Sequence, residues 1–571
     1  MHPQKTHRPP VLWSIAGADS GGGAGLSADQ RAADAFGVHL CPVVAAVTAQ
    51  HSRAVTRIAP VAPDVLEAQL DALASDMPPA AIKTGLLGSA GHIRAVARWV
   101  DRLRAARPML ALVVDPVLRA STGAAFADAD VLRAYVEELL PRATLVTPNE
   151  GEARQLAMLA GSGCGSGGAG QGGNALAPAP ALAQALRALG AAAVAVTGGD
   201  SAPLAGWALD WLDTPHAQGW LGLPRVPTPH HHGTGCTFAS SAAAALALGF
   251  VSADALVLAK MATTHALRHG HAAGQGAGPV LARPGFAAHA AQMPWLSFDA
   301  EVPQDWPQRW QEKIKKDSKK TFMDVPEGHF SDTPQAQEDM GLYGIADSAA
   351  QLQALLAAGL RTVQLRMKAP PAPDAAWHAA LREAMTHSMA ASAAAGARLF
   401  INDHWRVAHA LAAGQPGMAH VGLHLGQEDL AALTPDERRQ LLASGLPLGI
   451  SSHSLWELAR ARCLTPSYIA CGPVWPTTTK DMPWRPQGLD NLAWWVRMAG
   501  CPVAAIGGIL SAEQVADAAQ TGASAICAVR ALAQDPSRHA PLLHAALHEG
   551  RARPPRVTPA LPQPSLQGGH L

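Results

Sequence analysis

The sequence predicts an α/β protein with two cores: an N-terminal doubly wound parallel sheet and a C-terminal TIM (β/α)8 barrel. The chain has 571 residues, which is too long for one ordinary domain. Over 10–290, near-continuous apolar strands alternate with helix-like stretches, as in a parallel sheet covered on both faces. Over 341–550, eight short apolar strands recur, most of them separated by helix-like segments, and eight such units suit a closed barrel.

The strands of each core can be read directly from the sequence. The first core begins with VLWSIAG, continues through a glycine loop into the helical pattern SADQRAADAFG, and contains ALVVDPV, ATLVTPN and AAVAVTGG. The strands of the second core are GLYGIAD, TVQLRMK, RLFIND, VGLHLGQ, PLGISSH, YIACGPV, PVAAIGG and SAICAVR. Polar residues follow these strands directly.

Three segments are predicted to lie outside the cores. A glycine-rich insertion at 161–174 resembles a flexible surface loop. Residues 291–340 are interpreted as a solvated linker, although their KIKK cluster could be a docking patch. The proline-rich residues 551–571 are predicted to be a disordered tail.

Composition favours small-molecule partners. Lys+Arg and Asp+Glu are both 44, so no net field attracts nucleic acid or an acidic membrane. Seven cysteines form no C-x-x-C pair, which fits a reducing compartment. The N-terminal apolar run is too short for a secretory core, and no membrane span is predicted. We therefore expect a cytoplasmic protein, with homo-oligomerisation left open.

Residues 230–236 read HHHGTGC, which could be a metal cluster, a cysteine nucleophile or an anion cradle. Neighbours in an extended segment alternate sides, so three adjacent histidines cannot all reach one ion. The alanine-rich stretch that follows predicts a helix, whose N-terminal N–H groups at Gly233, Thr234, Gly235 and Cys236 would point at an anion. The stretch is therefore interpreted as a phosphate cradle.

Other polar stretches of the first core also follow predicted strands, where open α/β sheets bind ligands. They are the glycine loop GADSGGGAGLSAD, VVDPV, TPNEGE and VTGGD. The glycine loop alone does not establish a ligand-binding site, since such loops are at least as often simple turns. With the cradle they predict phosphoryl transfer, which needs Mg²⁺. Asp115 is assigned to the nucleotide side, and Asn149 and Glu152 have the spacing to hold the metal through water.

The polar residues of the second core predict a polyanion site. TVQLRMK places Gln364, Arg366 and Lys368 on one side of a strand, and an ordinary amphipathic edge is disfavoured because a closed barrel has no edge strand. Asp403 and Asp429 follow adjacent strands and could hold Mg²⁺, although Asp429 could instead cap a helix. Later loops add the hydroxyls of SSH, the phosphate-binding candidates of GPVWPTTTK and the backbone N–H groups of AIGGI.

The motifs AGADSGGGAGLSAD, AAVTAQ, IKTGLLGS, DPV, TPNEGEA and GTGC follow one another over about 12–270, and they resemble hydroxymethylpyrimidine/phosphomethylpyrimidine kinase. That family is ribokinase-like and works in thiamine biosynthesis. The resemblance implies that Gly17, Asp29 and Gln50 contact the pyrimidine, and that Cys236 belongs to an anion hole. ATP would phosphorylate first the alcohol and then the monophosphate.

The second core resembles thiamine phosphate synthase over about 341–535, through VQLRMK, IND, HLGQED, ISSH, GPVWPTTTK and AIGGI. The resemblance implies that Asp403 and Asp429 bind Mg²⁺, which would help stabilise departing diphosphate before the thiazole nitrogen attacks. It implies contacts to the pyrimidine diphosphate by Gln364, Arg366, Lys368, Asn402, Ser451 and Lys480. It implies contacts to the thiazole phosphate by Thr477, Thr479, Gly508 and Val529.

Four positions depart from these family patterns. His51 stands in place of the usual asparagine, Thr197 in place of a frequent lysine, Val421 in place of aspartate, and Arg530 in place of serine. Arg530 either grips the thiazole phosphate or blocks its site, and the first is favoured because guanidinium binds phosphate well.

Together the two resemblances imply a bifunctional transferase, since the product of the first core is the substrate of the second. Two alternatives remain open. The barrel could be a degenerate binding module, or the first core could be a pyridoxal-type kinase, whereas almost nothing in the sequence supports a non-enzymatic scaffold. Direct transfer between the sites is a hypothesis, since a flexible linker of about 45 residues spans on the order of 35–40 Å.

Overall fold

The computed structural model describes residues 8–118, 128–159, 178–199, 201, 203–317, 338–413, 420–477, 483–533 and 535–566. The chain divides into two compact units. The first ends at Pro307, and the second runs from Gln308 to Leu566. The glycine-rich insertion predicted at 161–174 lies outside the described residues.

The first unit is built on one ten-stranded sheet. Its strands are β1 Val11–Asp19, β2 His39–His51, β3 Ala54–Pro60, β4 Ala81–Thr84, β5 Ala111–Val114, β6 Leu145–Val146, β7 Val194–Thr197, β8 Trp207–Asp213, β9 Gln218–Pro224 and β10 Trp295–Leu296. Their spatial order is β10-β9-β8-β7-β6-β5-β4-β1-β2-β3. The strands from β7 to β2 in this order pair in parallel, and both edges continue antiparallel.

Helices of the first unit pack in two groups against this sheet. They are α1 Gly25–Ala35, α2 Pro63–Asp76, α3 Ala90–Ala106, α4 Ala129–Ala134, α5 Glu150–Leu159, α6 Ala179–Ala188, α7 Thr234–Ala247 and α8 Ser252–Arg268. One group contains α1, α7 and α8, and the other runs from α2 to α6. The doubly wound sheet predicted from the sequence is therefore confirmed.

The central strands are buried because their sequences are apolar on both faces. All residues of β4 (AIKT) and β5 (ALVV) are buried. Lys83 is the one charged residue of these two strands, and its side chain is nevertheless 0% exposed. Such a residue persists only where opposite charges surround it, so its surroundings mark a special site.

The linker predicted over 291–340 contains regular structure in its described part. β10 pairs with β9, and a helix, α9 Trp306–Asp317, follows. The ring centroids of Trp207, Trp295 and Trp306 lie 5.3 to 5.9 Å from one another. The linker prediction is therefore wrong over 295–317. The tryptophans of this segment are too widely spaced to produce a periodic apolar pattern, but their rings are buried in the folded chain. Residues 318–337 lie outside the described part of the chain.

The second unit is a closed barrel of eight parallel strands. They are β11 Gly341–Ala346, β12 Thr362–Leu365, β13 Arg398–Asn402, β14 Val421–Leu425, β15 Leu448–Ser452, β16 Tyr468–Cys471, β17 Val503–Ile506 and β18 Ala525–Cys527. They neighbour one another in chain order, and β11 pairs with β18 to close the barrel. All eight predicted strands are present.

Helices connect the barrel strands and follow the last one. They are α10 Ala349–Ala357, α11 Ala375–Ala394, α12 Trp405–Ala412, α13 Gln427–Ala432, α14 Pro435–Ala443, α15 Leu455–Cys463, α16 Gly488–Met498, α17 Ala512–Gln520, α18 Val529–Ala533 and α19 Pro536–Ala552. Several begin at a serine or aspartate whose side chain accepts a backbone hydrogen bond, as Ser348, Asp374 and Ser454 do. Such caps satisfy N–H groups that have no partner within the helix.

The barrel interior is filled by side chains from most of the strands. A buried cluster contains Tyr343, Phe400 and Tyr468 together with small residues of the later strands. Gly449 pairs with Tyr468 across the β15–β16 ladder, and a Cβ atom at Gly449 would lie 2.2 Å from the Tyr468 ring. Glycine is therefore required there, because only its absent side chain leaves room for the tyrosine.

The segment that follows α19 packs on the second unit, which corrects the predicted disordered tail over 551–566. Asn491 of α16 accepts a hydrogen bond from the Gln563 N–H (2.7 Å) and donates one to the Gln563 carbonyl (2.9 Å). The Arg485 N–H donates to the Ser565 carbonyl at 2.8 Å. Prolines exclude helix and inner strand here, but an extended chain can still bond to side chains that a buried surface presents.

We expect Asn491→Ala to release this segment. The substitution leaves the Gln563 backbone groups without partners, at a cost of about 1–3 kcal/mol. Hydrogen–deuterium exchange of peptides covering 553–566 should accelerate strongly. The control is Arg556→Ala, which removes an exposed ion pair with Asp490 and should change exchange little. Equal exchange in the two variants would contradict the packing role of Asn491.

Candidate active sites of the two units

The glycine loop of the first unit is braced by Asp19, the last residue of β1. Its carboxylate accepts hydrogen bonds from the N–H groups of Gly21 (2.8 Å), Gly23 (3.0 Å) and Ala24 (2.8 Å). Burial raises the pKa of Asp19, but hydrogen bonds from His232, Ala24 and Gly21 outweigh it and leave the pKa below its ordinary value. The loop therefore directs these N–H groups at its own carboxylate rather than at a ligand.

The three histidines of HHHGTGC have different surroundings. His232 Nε2 lies 3.2 Å from Asp19 Oδ2 and 3.1 Å from Gln50 Nε2. His230 Nδ1 accepts from the Gly278 N–H at 3.3 Å, and His231 is exposed. Within the described ranges no three His, Cys, Asp or Glu side chains group as a metal site.

The residues predicted to form the anion cradle of the first unit lie at the N-terminus of α7. Gly233 precedes the helix with φ of 85°, in the left-handed region that glycine tolerates. Thr234 is engaged locally, since its N–H and its hydroxyl both donate to the His231 carbonyl. In the part of the chain that the structure describes, the N–H groups of Gly235 and Cys236 donate no hydrogen bond. Two unpaired donors at a helix N-terminus can bind a phosphate.

A buried charge cluster lies beside the cradle. Lys83 Nζ donates to Asp29 Oδ1 (3.0 Å) and Oδ2 (3.1 Å), and it lies 3.7 Å from Asp115 Oδ2. Ser14 and Ser240 also donate to the Asp29 carboxylate, at 2.6 and 2.7 Å. Asp29 is 0% exposed, so its carboxylate does not face an opening. It instead holds together Lys83, the Ser14 hydroxyl of β1 and the Ser240 hydroxyl of α7.

Sequence reasoning missed Lys83 as a site residue. The signal was present, since a lysine inside the apolar strand AIKT needs a buried acid, and Asp29 and Asp115 were already candidates. Gly17 lies buried at the end of β1 against Leu86, where a Cβ would meet the leucine at 3.1 Å. Gln50 is partly exposed and hydrogen bonds through its backbone N–H to the Ser20 hydroxyl.

The cluster shifts the titration of its neighbours. Burial raises the pKa of Cys236 to about 12. The charge of Lys83 opposes this shift, and the charges of Asp29 and Asp115 add to it. Cys236 is therefore a neutral thiol at physiological pH, which disfavours a thiolate nucleophile. Burial raises the pKa of Asp115 to about 6, although Lys83 opposes this. Asp115 Oδ2 accepts no hydrogen bond from the described residues.

Two residues predicted to lie on the nucleotide side, Asn149 and Glu152, form a reciprocal helix cap. The Asn149 N–H donates to Glu152 Oε2 at 3.0 Å, and the Glu152 N–H donates to Asn149 Oδ1 at 2.9 Å. The N-x-x-E spacing thus has a structural use at the start of α5. Thr197 ends β7 beside Asn149, and the next residue, Gly198, donates its N–H to the buried Asp210 carboxylate at 3.1 Å.

The Asp115 shift predicts a pH dependence of stability. Its folded-state pKa of about 6 lies above the value near 3.9 of an unfolded chain, so the folded state binds this proton more tightly. The contribution is complete below about pH 4 and is lost as pH rises through about 6, amounting to about 3 kcal/mol at most. This contribution should lower the free energy of unfolding of the wild-type chain as the pH rises from 4.5 to 7, and Asp115→Asn should lack that part of the decrease. Thermal unfolding across this pH range measures the difference. An identical pH dependence in the two proteins would show that Asp115 is charged throughout.

In the second unit, Gln364, Arg366 and Lys368 lie at and beyond the end of β12. Gln364 is 2% exposed inside the barrel, Arg366 is partly exposed and Lys368 is exposed. The strand ends at Leu365, so the predicted alternation holds only as far as Val363, Gln364 and Leu365. The cations Arg366 and Lys368 therefore lie on the loop after β12, beyond the buried amide of Gln364. This arrangement suits a polyanionic ligand that carries a hydrogen-bonding group at one end.

A continuous hydrogen-bonded chain crosses the barrel from Asn402 to Ser451. Gln364 Nε2 donates to Asn402 Oδ1 at 2.6 Å, and the Tyr343 hydroxyl donates to Gln364 Oε1 at 3.0 Å. The Tyr343 and Tyr468 hydroxyls lie 2.7 Å apart. His424 contacts the Tyr468 hydroxyl through Nδ1 (2.6 Å) and Ser451 Oγ through Nε2 (2.9 Å). Sequence reasoning found the two ends and Gln364, but it missed the three residues between them.

Burial and the nearby charge of Arg366 lower the pKa of His424 to about 4. Its imidazole is therefore neutral at physiological pH, and one ring nitrogen donates while the other accepts. Burial also raises the pKa of both Tyr343 and Tyr468, so both phenols keep their protons.

Asp403 and Asp429 meet at the ends of neighbouring strands. Asp403 follows β13 with φ of 63°, a strained conformation for a residue with a side chain. Desolvation, and after it the adjacent Asp429 carboxylate, raise the pKa of Asp403 to about 6. Asp429 Oδ2 accepts from the Gly426 N–H at 2.9 Å, so Asp429 does cap α13 as the alternative reading had it. Two crowded carboxylates still suit Mg²⁺, which takes one or two such ligands with waters and phosphate oxygens.

The remaining predicted contacts lie on late loops. Gly508 has φ of 73°, and a Cβ there would lie 2.6 Å from Trp475, so glycine lets the two loops approach closely. Thr477 is partly buried, Val529 is the first residue of α18, and Arg530 is exposed beside it. Thr479 and Lys480 lie outside the described residues, and their roles stay predictions.

Known proteins match both units. The family model described as phosphomethylpyrimidine kinase matches residues 19–281, and the one described as thiamine monophosphate synthase matches 338–532. A probable thiamine biosynthetic bifunctional enzyme, chloroplastic, of Oryza sativa subsp. japonica is 31% identical, over 88% of this chain and 81% of its own. A hydroxymethylpyrimidine/phosphomethylpyrimidine kinase of Synechococcus elongatus is 39% identical, over 48% and 96%. A thiamine-phosphate synthase of Neisseria meningitidis serogroup A is 42% identical, over 33% and 85%.

The fold and the two sites define a bifunctional transferase, a ribokinase-like kinase followed by a phosphate-binding (β/α)8 barrel. The matches extend this from the class to the family, because one relative aligns across both units. The chain belongs to the family of bifunctional thiamine biosynthetic enzymes, with a hydroxymethylpyrimidine/phosphomethylpyrimidine kinase unit and a thiamine-phosphate synthase unit. None of the helices in the described ranges is long and apolar enough to cross a bilayer. The cytoplasmic location stays a prediction.

Proposed function

We propose that the first unit transfers the γ-phosphate of ATP at the N-terminus of α7. The N–H groups of Gly235 and Cys236 would receive the charge that develops on the transferring phosphoryl group, in a position already oriented by the helix. The pyrimidine would lie near Gly17 and Gln50, at the carboxyl ends of β1 and β2. The neutral Cys236 thiol would line this hole without attacking the substrate.

The Asp29–Lys83–Asp115 cluster positions this cradle in our proposal. Asp29 lies in α1 and joins it to β1 through Ser14, to β4 through Lys83 and to α7 through Ser240. A rigid connection of these elements keeps the α7 N-terminus aligned with the strand ends. Asp115 directly follows β5, its Oδ2 lies 3.7 Å from Lys83 Nζ, and this oxygen would accept a hydrogen bond from water bound to a nucleotide-associated cation.

In the second unit, we propose that Asp403 and Asp429 hold Mg²⁺ while Arg366 and Lys368 bind the diphosphate of the pyrimidine substrate. When bound, the metal would neutralise charge on the departing diphosphate. Arg366 and Lys368 would stabilise the same charge from the loop after β12, and Gln364, Asn402 and Ser451 would hold the substrate end that enters the barrel. Gly508 and Thr477 would hold the thiazole phosphate.

One observation carries this proposal. In each unit, most of the described residues predicted to bind ligands are far apart in sequence and lie at or just beyond the carboxyl ends of strands, which supports one half of the proposed chemistry in each unit. Helix N–H donors suit a transferring phosphoryl group, and paired carboxylates beside cations suit a departing diphosphate.

The full chain supplied with hydroxymethylpyrimidine, MgATP and thiazole phosphate should form thiamine phosphate, which mass spectrometry can follow. Gly235→Pro should lower pyrimidine phosphorylation about 10²-fold, because it deletes one cradle N–H in a first helical turn that tolerates proline. Gly235→Ala is the matched control, since it keeps the N–H and a Cβ there meets nothing within 4 Å. Pyrimidine diphosphate that accumulates without thiamine phosphate would contradict the synthase half.

The metal assignment predicts a change in Mg²⁺ dependence. With preformed pyrimidine diphosphate and thiazole phosphate, Asp403→Asn should raise the Mg²⁺ concentration for half-maximal synthase rate by ~10-fold or more. Asp436→Asn is the control, because Asp436 is an exposed acid on α14 with Arg439 beside it. If the two variants have the same Mg²⁺ dependence, the Asp403–Asp429 pair is not the metal site.

A further inference from the structure

The hydrogen-bonded chain inside the barrel contains six side chains, and we call it the barrel relay. Its members, in order, are Asn402, Gln364, Tyr343, Tyr468, His424 and Ser451. Only its two ends and Gln364 belong to the proposed ligand-binding set. The three central members are 6% exposed or less, so they act on a ligand through the ends.

The protons of the barrel relay can be arranged in only two ways. Each tyrosine hydroxyl has one proton, and the neutral His424 ring has one N–H, so each central member donates once along the chain. If Tyr343 donates to Gln364, then Tyr468 must donate to Tyr343, and His424 must donate to Tyr468 through Nδ1. His424 Nε2 must then accept from Ser451. Reversing any one bond reverses all the others.

The amide orientations in the structure select one of these directions. Gln364 Nε2 donates to Asn402 Oδ1, and Tyr343 donates to Gln364 Oε1. Asn402 therefore keeps its Nδ2 donors for a ligand. At the other end, Ser451 uses its only proton on His424 and keeps oxygen lone pairs for a ligand. The relay thus presents a donor at one end and an acceptor at the other.

We propose that Tyr343, Tyr468 and His424 are positioning residues that select an amino-substituted pyrimidine over its oxo counterpart. A ligand that fits must offer an acceptor to Asn402 and a donor to Ser451. An aminopyrimidine offers both, through a ring nitrogen and the adjacent amino group. The oxo tautomer carries a ring N–H and a carbonyl in these places and presents the opposite pattern.

The selection arises because a mismatch cannot be corrected locally. If Asn402 turned its amide to offer an acceptor, the five hydrogen bonds of the relay would have to reverse together or one would be lost in a buried site. A buried polar group without its partner costs about 1–3 kcal/mol. Sites built in this way discriminate hydrogen-bonding patterns far better than apolar pockets discriminate shape.

This inference rests on the proposed synthase function, and its test uses the full chain with preformed substrates. The rate of thiamine phosphate formation from the aminopyrimidine diphosphate is compared with the rate of the corresponding reaction of the 4-oxo analogue. Tyr468→Phe and Tyr343→Phe should each reduce the ratio of the two kcat/KM values by about tenfold or more. The KM for the pyrimidine diphosphate should rise, while the KM for thiazole phosphate should stay unchanged.

Phe400→Leu is the matched control. The Phe400 ring lies 4.9 Å from that of Tyr468 and 6.0 Å from that of Tyr343, but a phenylalanine side chain makes no hydrogen bond in the relay. It therefore disturbs the packing of the same cluster and leaves the proton order intact. An equal loss of discrimination in Phe400→Leu would overturn the proposal, because packing alone would then explain the effect.

A spectroscopic measurement on the wild-type chain tests the direction of the relay. Nitrogen-15 NMR of histidine-labelled protein distinguishes the two neutral tautomers of His424, assigned by comparison with His424→Gln. The Nδ1–H tautomer is expected, and the Nε2–H tautomer would overturn the proposal. If the wild-type chain makes no thiamine phosphate from the aminopyrimidine diphosphate, the synthase function itself fails, and the tautomer still decides the relay direction.

Discussion

Parallel strand pairing is the constraint on which both sites depend. In a parallel sheet or barrel all carboxyl ends lie at one edge, and the loops that leave this edge face one another. Asp19, Thr84 and Thr197 of the first unit end strands at one edge, so residues more than 100 positions apart in sequence can share a ligand. In the barrel the same rule brings Asn402 and Ser451 to one end. The chemistry differs between the units, but one geometric rule assembles both.

Each site includes an arrangement that would be unfavourable elsewhere. Lys83 is a fully buried cation, tolerated because Asp29 accepts its hydrogen bonds and Asp115 lies close by, and removal of Asp29 would take away its hydrogen-bonded partner. Asp403 adopts a left-handed backbone conformation that directs its carboxylate toward Asp429. The packed strands around these residues sustain such local costs, which proteins accept most often at functional sites.

Much of this arrangement was accessible from the sequence. The eight barrel strands followed from apolar periodicity, and the start of α7 followed from glycines before an alanine-rich stretch. Lys83 was missed because its significance depends on partners at positions 29 and 115, which no local pattern connects. Tyr343, Tyr468 and His424 were missed for a similar reason, since each looks like an ordinary core residue in its own strand. The packed segments 295–317 and 553–566 were misjudged because their partners also lie far away in the chain.

By itself the sequence determined the two cores, the order of their strands and the residue types that end those strands. These are local properties, because hydrophobic periodicity and turn chemistry act over a few neighbouring residues. Only the tertiary structure decided that Asp29 is an internal anchor for Lys83, that Asp429 caps a helix and also faces Asp403, and that six polar side chains join across the barrel. These properties depend on distances between separate strands and on burial, since hydrogen-bond partners and desolvation exist only after the chain has closed around them.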